Sequence, residues 1–172
     1  YAISQAVKKI GNYNLVIAGR QAIDGDTAQV GPQAAEKLGI PQITYAEELV
    51  SINEKKVTIK RRLENGVETV ASSMPCLITV HSSAAECRPR NAKQLMKFKY
   101  AKTSIEMEEA PDYVKELVKK RGYLNIPIWT VDDIDADEAW LGLSGSPTKV
   151  KNIENVILAA KESKVLSTSD ED

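Results

Sequence analysis

Residues 2 to 39 carry the pattern of half a parallel α/β unit, and that pattern leaves few architectures open. Ile3, Ala6, Val7 and Ile10 fall on one face of a helix that Gly11 stops. A short apolar run, Asn14 to Ala18, follows and ends at Gly19. A second helix is expected through about Leu38, because Val30, Ala34 and Leu38 are spaced four apart and Gly39 closes them. Helix, buried strand, helix is the repeat of a sheet covered on its faces. The first helix is already in progress at Tyr1, with no start signal before it. The chain is therefore expected to be the later part of a longer protein.

The period changes after residue 42. Ile43–Ile52, Lys56–Leu63 and Val67–Ser73 alternate as strands, broken at Asn53-Glu54 and Asn65-Gly66, the second a strong hairpin signal. Pro75 to Val80 returns to a buried-strand pattern. The hairpins over 43–73 are thus expected as an excursion to the edge of the main sheet or beyond it. From His81 the text HSSAAECRPRN reads as a loop, and Ala92–Ala101 as a basic helix. Tyr113–Arg121 is expected to be helical, Ile128–Val131 a last strand and GLSGSPTK a loop. Val150–Leu166 should form a terminal helix before a frayed acidic tail.

Composition narrows the function classes. With 42% hydrophobic and 27% charged residues the chain has a soluble globular balance. A net charge of -1 and 5% aromatics give neither the field nor the stacking surface that nucleic acid needs. There is no long apolar run for membrane insertion and no signal peptide, so cytoplasm or an organelle matrix is expected. Cys76 reads as a core residue and Cys87 as a loop thiol; neither has metal-ligand spacing with His81. Asp133-x-Asp135-x-Asp137 has Glu138 where a calcium loop needs glycine, so a polar helix start is expected there. His81 has no evident nucleophile or acid partner nearby, which disfavours a catalytic triad.

The stretch GRQAIDGDTAQVGPQ leaves the C-terminal end of the first strand, where open α/β sheets place ligands. Gly19 and Gly25 permit backbone angles other residues avoid. Asp26 and Gln29 have the spacing of a capping pair, and the N–H groups of a first helical turn suit a phosphate. Thr27 adds a hydroxyl donor and Arg20 a fixed charge, while Pro32 lacks an N–H, so useful donors should precede it. Asp24 could accept from a ribose hydroxyl or hold the loop. Neither GxGxxG nor a Walker loop is present. Two readings stand on pattern: a plain αβ connection into a capped helix, and a nucleotide cradle.

GRQAIDGDTAQVGPQAAEKLGIPQITY closely resembles the signature of the electron transfer flavoprotein beta subunit family. The resemblance continues through the hairpins, the loop ending RPRN and the basic LMKFKYAK, and WTVDDIDADEAWLGLSGSPTKV is similar to the family's C-terminal segment. It implies a Rossmann-like parallel sheet (adenine nucleotide alpha hydrolase-like) with a β-hairpin excursion and a C-terminal arm. The implied organisation is a nucleotide-binding α/β domain at 1–81, a recognition loop with two helices at 82–127, and an arm and helix at 128–172. The family's N-terminal portion has no counterpart here.

By that resemblance the cofactor loop is Gly19, Arg20, Gln21, Ala22, Ile23, Asp24, Gly25, Asp26, Thr27, Ala28, Gln29 and Val30. The family pairs with an alpha subunit that carries a flavin, and it exchanges electrons with acyl-CoA or related dehydrogenases. Classical members hold AMP and tend to read DDD then NQTGQ; the electron-bifurcating branch holds a second FAD. Asp24 to Pro32 resembles the bifurcating branch, with NADH as donor and ferredoxin or flavodoxin as low-potential acceptor. No side chain is then needed as catalytic acid or base. The implied docking residues are Glu86, Arg88, Pro89, Arg90, Lys93 and Lys97, with Glu86 where classical members carry an anchoring leucine. The alternatives are a classical AMP-holding subunit and a non-redox adenine-nucleotide module. An adenine pocket lacking the family's first portion is expected to bind nucleotide weakly or not at all.

Overall fold

The computed structural model describes residues 1–147; the expected terminal helix at 150–166 lies outside them. Helix α1 (Ala2–Ile10) precedes strand β1 (Leu15–Gly19), and helix α2 (Val30–Leu38) precedes β2 (Gln42–Ile52). Strands β3 (Lys56–Leu63), β4 (Gly66–Ser73) and β5 (Cys76–Val80) complete one sheet of order β1-β5-β2-β3-β4. β1 and β2 both run parallel to β5, and the hairpins continue the same sheet antiparallel. The excursion is therefore an extension of the sheet's edge. The expected α/β class with a parallel sheet holds.

β5 is the apolar run that sits between two parallel neighbours, and Cys76 to Thr79 are all buried. Leu77 and Thr79 face α2, where Ala34 and Ala35 pack with Val16 and Ile40 around Leu77. Cys76 and Ile78 alternate to the opposite face. There they join Ile43, Ala46, Val57 and Ile59, with Leu15, Val70 and Met74 against them. Burial pushes the Cys76 thiol pKa up, as an apolar surround disfavours thiolate. Cys87 is exposed, as expected for a loop thiol. β1 forms the sheet's edge, and Ile17 remains 67% exposed on it. The apolar stripe of α1 also differs from its simplest reading: Ser4 is the buried residue, while Ile3 and Ile10 are exposed.

A second, smaller core follows. Helix α3 (Ala92–Phe98) leads to β6 (Lys102–Thr103), α4 (Ser104–Glu108) and α5 (Asp112–Lys120). β6 pairs parallel with β7 (Asn125–Ile126). Ala110, Val114, Val118 and Leu124 bury one another there, with Tyr100, Ala101, Met107 and Leu117 around them. Here one expectation is corrected: Ile128–Val131 is not a strand, and the pairing falls on Asn125–Ile126. GLSGSPTK likewise contains one helical turn, α6 (Gly142–Gly145). Thr103 and Glu106 cap α4 reciprocally, the Thr103 hydroxyl accepting from the Glu106 N–H and the Glu106 carboxylate from the Thr103 N–H.

Residues 129–140 then return to the first two helices. Lys9 donates to the Asp133 carbonyl at 2.5 Å and lies 5.3 Å from the Trp129 ring centre. Gln5 donates to the Asp135 carbonyl at 3.0 Å, and the Asp137 N–H donates to the Tyr1 hydroxyl at 3.1 Å. Lys37 sits 4.6 Å from the Trp140 ring centre. Two of the three aspartates serve as polar helix starts do: Asp133 accepts from Thr130 N–H at 2.7 Å, and Asp137 from Ala139 N–H at 2.9 Å, whereas Asp135 ends a helical turn with φ 49.

Acid should release this arm. The Thr130 N–H and then its hydroxyl hold the Asp133 carboxyl below the ordinary carboxylate range. The Thr103 N–H and hydroxyl do the same for Glu106. A carboxylate whose folded pKa is depressed contributes stability above its unfolded value, and that contribution is lost as pH falls through the folded value. Tryptophan fluorescence followed downward from about pH 5 should therefore change before the sheet unfolds. Asp133→Asn should remove the pH dependence of that step. A signal flat down to global unfolding would contradict the arrangement.

Candidate functional site

The parallel strands β1 and β5 end opposite each other, Gly19 beside Val80. The chain leaves Gly19 into an exposed loop and re-enters regular structure at Val30. This corrects the expected capping pair: the helix starts at Val30 with Gln29 as N-cap, and no side chain caps it. Asp26 is occupied elsewhere. Its carboxylate accepts from the Gln21 side chain, and its N–H donates to the Ala22 carbonyl at 3.2 Å. The unusual backbone angles also fall on different residues than expected. Asp26 (φ 51) and Ala28 (φ 53) are left-handed, whereas Gly19 and Gly25 are not. Such angles cost a non-glycine residue on the order of 1 kcal/mol or more, and they collect at ligand-binding turns.

The consequence is a set of unfilled donors. The first turn of a helix leaves its N–H groups without intrahelical acceptors. Pro32 has none to offer, and Gln33 N–H already reaches the Gln29 carbonyl at 2.9 Å. Val30 and Gly31 remain, as the position of Pro32 led us to expect. Gly31 is buried, and a Cβ built on it would lie 2.6 Å from Thr79 Cγ2. Glycine there lets the start of α2 press onto β5 at the strand's C-terminal end. Nothing in the sequence reading had singled it out.

Beside the loop lies an open groove of about 860 Å³, lined by Arg20, Gln21, Tyr45, His81 and the β3–β4 turn from Arg62 to Glu68. That volume is within the range of about 300 to 1,000 Å³ usual for small-molecule sites. His81 follows directly on β5, and its N–H donates to the Ala46 carbonyl at 2.8 Å. Tyr45 sits in a bulge of β2 with φ 59, its N–H donating to Thr79 Oγ1 at 3.1 Å and its ring edge-on to His81. His81, Tyr45 and the hairpin turn were missed as site residues; their shared place at the strands' C-terminal ends was the usable signal.

Charge in the groove is uneven. Arg62 is held by Glu47 at 2.7 Å, and that guanidinium hydrogen bond is the main reason the Glu47 carboxyl lies below its ordinary range. Arg61 is paired with Glu68. Arg20 makes no ion pair among the described residues; its contact is His81 Nε2 at 3.2 Å. A guanidinium carries five donors, so Arg20 keeps most of them for an anion. Of the expected loop residues only Arg20 and Gln21 line this groove; Thr27, Val30 and Gly31 do not. The N–H groups of Val30 and Gly31, a Thr27 hydroxyl with no partner among the described residues, and a cation without an ion pair are each groups that can meet a phosphate oxygen.

The other group of expected residues lies apart. Glu86, Arg88, Pro89 and Arg90 are exposed in the segment leading into α3, and Lys93 is exposed in its first turn; the N-cap Asn91 accepts from Gln94 N–H at 3.1 Å. Lys97 lies 5.1 Å from both the Phe98 and Tyr123 ring centres. Leu95 and Met96 are exposed between the cations. No helix among the described residues is long and apolar enough to cross a membrane.

Residues 1–104 match the electron transfer flavoprotein domain. The chain is 40% identical over 151 residues to the electron transfer flavoprotein subunit beta of Clostridium acetobutylicum, covering 88% of this chain and 49% of that protein. It is 39% identical over 151 residues to the acryloyl-CoA reductase electron transfer subunit gamma of Anaerotignum propionicum (86% and 49%). It is 35% identical over 148 residues to the caffeyl-CoA reductase-Etf complex subunit CarD of Acetobacterium woodii (86% and 47%). The chain thus spans about half the length of the curated relatives it matches.

Proposed function

We propose a role within the electron transfer flavoprotein family, to which this chain belongs: it supplies the phosphate cradle of a nucleotide site in a beta-type subunit. The cradle is the loop Gly19–Val30 with the first turn of α2. The observation that carries the reading is the loop's geometry. It leaves β1 where the C-terminal end of parallel β5 lies alongside, bends through two left-handed residues, and runs from an arginine without an ion pair among the described residues to the unfilled N–H groups of a helix start.

FAD is the ligand we assign, because Asp24-Gly25-Asp26-Thr27 resembles the bifurcating branch. Two relatives also carry a reductase in their names. When bound, the flavin supplies hydride acceptance from NADH and single-electron release, to an alpha-subunit flavin and to a low-potential acceptor such as ferredoxin or flavodoxin. The residues here bind and orient. Val30 and Gly31 N–H groups, the Thr27 hydroxyl and Arg20 hold phosphate oxygens, and Asp24, exposed in the loop's turn, accepts from a ribose hydroxyl. The exposed basic segment from Arg88 to Lys97 is the docking surface for a partner acyl-CoA or related dehydrogenase; an acidic partner is steered to it.

The test is cofactor content. The complete subunit, co-expressed with its alpha subunit, is purified and denatured, and the released FAD and AMP are quantified. Two FAD per heterodimer is the expected result. One FAD with one AMP would make the subunit a classical carrier holding AMP structurally, and the cradle would hold a single phosphate. No nucleotide beyond the alpha-subunit flavin would overturn the cradle.

A further inference from the structure

We propose that His81 is a positioning residue for Arg20, fixing its guanidinium over the groove so that it holds an anionic group of the bound ligand. This deepens the cradle reading and rests on it. Arg20 is the lining cation without an ion pair among the described residues, and a long side chain at a loop's start has many rotamers to lose. What restrains it here is a single contact, His81 Nε2 at 3.2 Å. His81 is itself restrained from three directions. Its backbone N–H is tied to the Ala46 carbonyl at 2.8 Å. Its ring is met edge-on by Tyr45, 6.3 Å between centres. Its Nδ1 lies 2.9 Å from Ser83 Oγ and 3.1 Å from Ser83 N.

The two ring nitrogens face competing donors: the Ser83 N–H points at Nδ1, while the Arg20 guanidinium points at Nε2. A guanidinium only donates, so Nε2 must offer a lone pair to Arg20. The proton then sits on Nδ1 and is donated to Ser83 Oγ. The opposite tautomer would let Nδ1 accept from the Ser83 N–H, but it would set Nε2–H against an arginine N–H. The charged contact is the stronger of the two. Ser83 is exposed, so water satisfies its N–H when the ring does not. The result is a relay in which the Ser83 hydroxyl takes the Nδ1 proton and the lone pair on Nε2 aims Arg20. One guanidinium N–H is used, which leaves the others for phosphate oxygens.

The chain has a single histidine, which makes the tautomer readable. In the complete subunit with its alpha partner, histidine ¹⁵N resonances are recorded with and without His81→Gln, so that the difference assigns this ring. The Nδ1–H form is the expected result; the Nε2–H form overturns the proposal. Dissociation constants for FAD, and for AMP as a second phosphate-bearing probe, are then measured in a cycle with Thr27→Ala as the cradle control. His81→Ala should weaken binding about threefold to tenfold, the scale of one hydrogen bond. His81→Gln, whose amide oxygen accepts from Arg20, should restore it to within about twofold. In an Arg20→Ala background, His81→Ala should have no further effect. If Arg20→Ala weakens binding but His81→Ala does not, or does so equally without Arg20, the positioning role fails and the cradle stands. If neither Thr27→Ala nor Arg20→Ala changes affinity, the cradle itself fails. Should His81→Ala not fold, the Gln variant and Ser83→Ala carry the same comparison, Ser83→Ala being expected to weaken binding only when Arg20 is present.

Discussion

Replacing Gly31 with alanine should destabilise the sheet domain by about 1 to 3 kcal/mol and weaken nucleotide binding at the same time. A Cβ there would lie 2.6 Å from Thr79 Cγ2 and 3.4 Å from Leu77 Cδ2. Both neighbours are buried in β5, at 2% and 1% exposure, with no room to swing aside. Thr79 is further pinned because its Oγ1 accepts the N–H of Tyr45, whose own backbone is left-handed. The helix must therefore lift from the sheet, carrying the Val30 and Gly31 N–H groups with it. Urea denaturation measures the first effect and nucleotide affinity the second. Adding Thr79→Ser removes the offending methyl and keeps the acceptor, so the double variant should recover most of the loss. An alanine variant as stable as the parent would show that α2 does not press on β5 at this point.

Leu124→Ala tests a different matter, the independence of the second core. Leu124 is 1% exposed, and among the described residues its apolar cluster is drawn from residues 100 to 124. Truncating a buried leucine costs about 2 to 5 kcal/mol, which is a large share of what so small a cluster can hold. Hydrogen exchange should then show α5 amides losing protection while β5 amides keep theirs. Parallel loss in both would mean that the two cores fold as one unit.

How far the sequence alone could be read follows from the range of the interactions involved. Buried runs and turn glycines are local, so β1, β5 and the Asn65-Gly66 hairpin were legible to within a residue of their observed positions. Strand order is not local; nothing in the text from Cys76 to Val80 says that it lies between two earlier strands. The loop failed for a nameable reason. Asp26 and Gln29 have the spacing of a cap, but the Asp26 carboxylate is taken by Gln21, and left-handed angles at 26 and 28 forbid a helix there. β6 and β7 were invisible because strands of two residues have no period. Of the site, Arg20 was legible as a charge in a ligand loop. Its partner His81 was not, because the two are 61 residues apart and meet only when β1 and β5 pair.

The return of residues 129–140 to the first helices also decides what an optical experiment on this protein can see. The chain has two tryptophans, Trp129 and Trp140, and both lie on that segment with a lysine ammonium against the ring. Neither belongs to a buried core cluster. Intrinsic indole emission is therefore a reporter of whether the segment is seated, and it is nearly blind to the sheet. A melt followed by emission and one followed by circular dichroism should give different midpoints, and the gap between them is a direct reading of how tightly the segment is held.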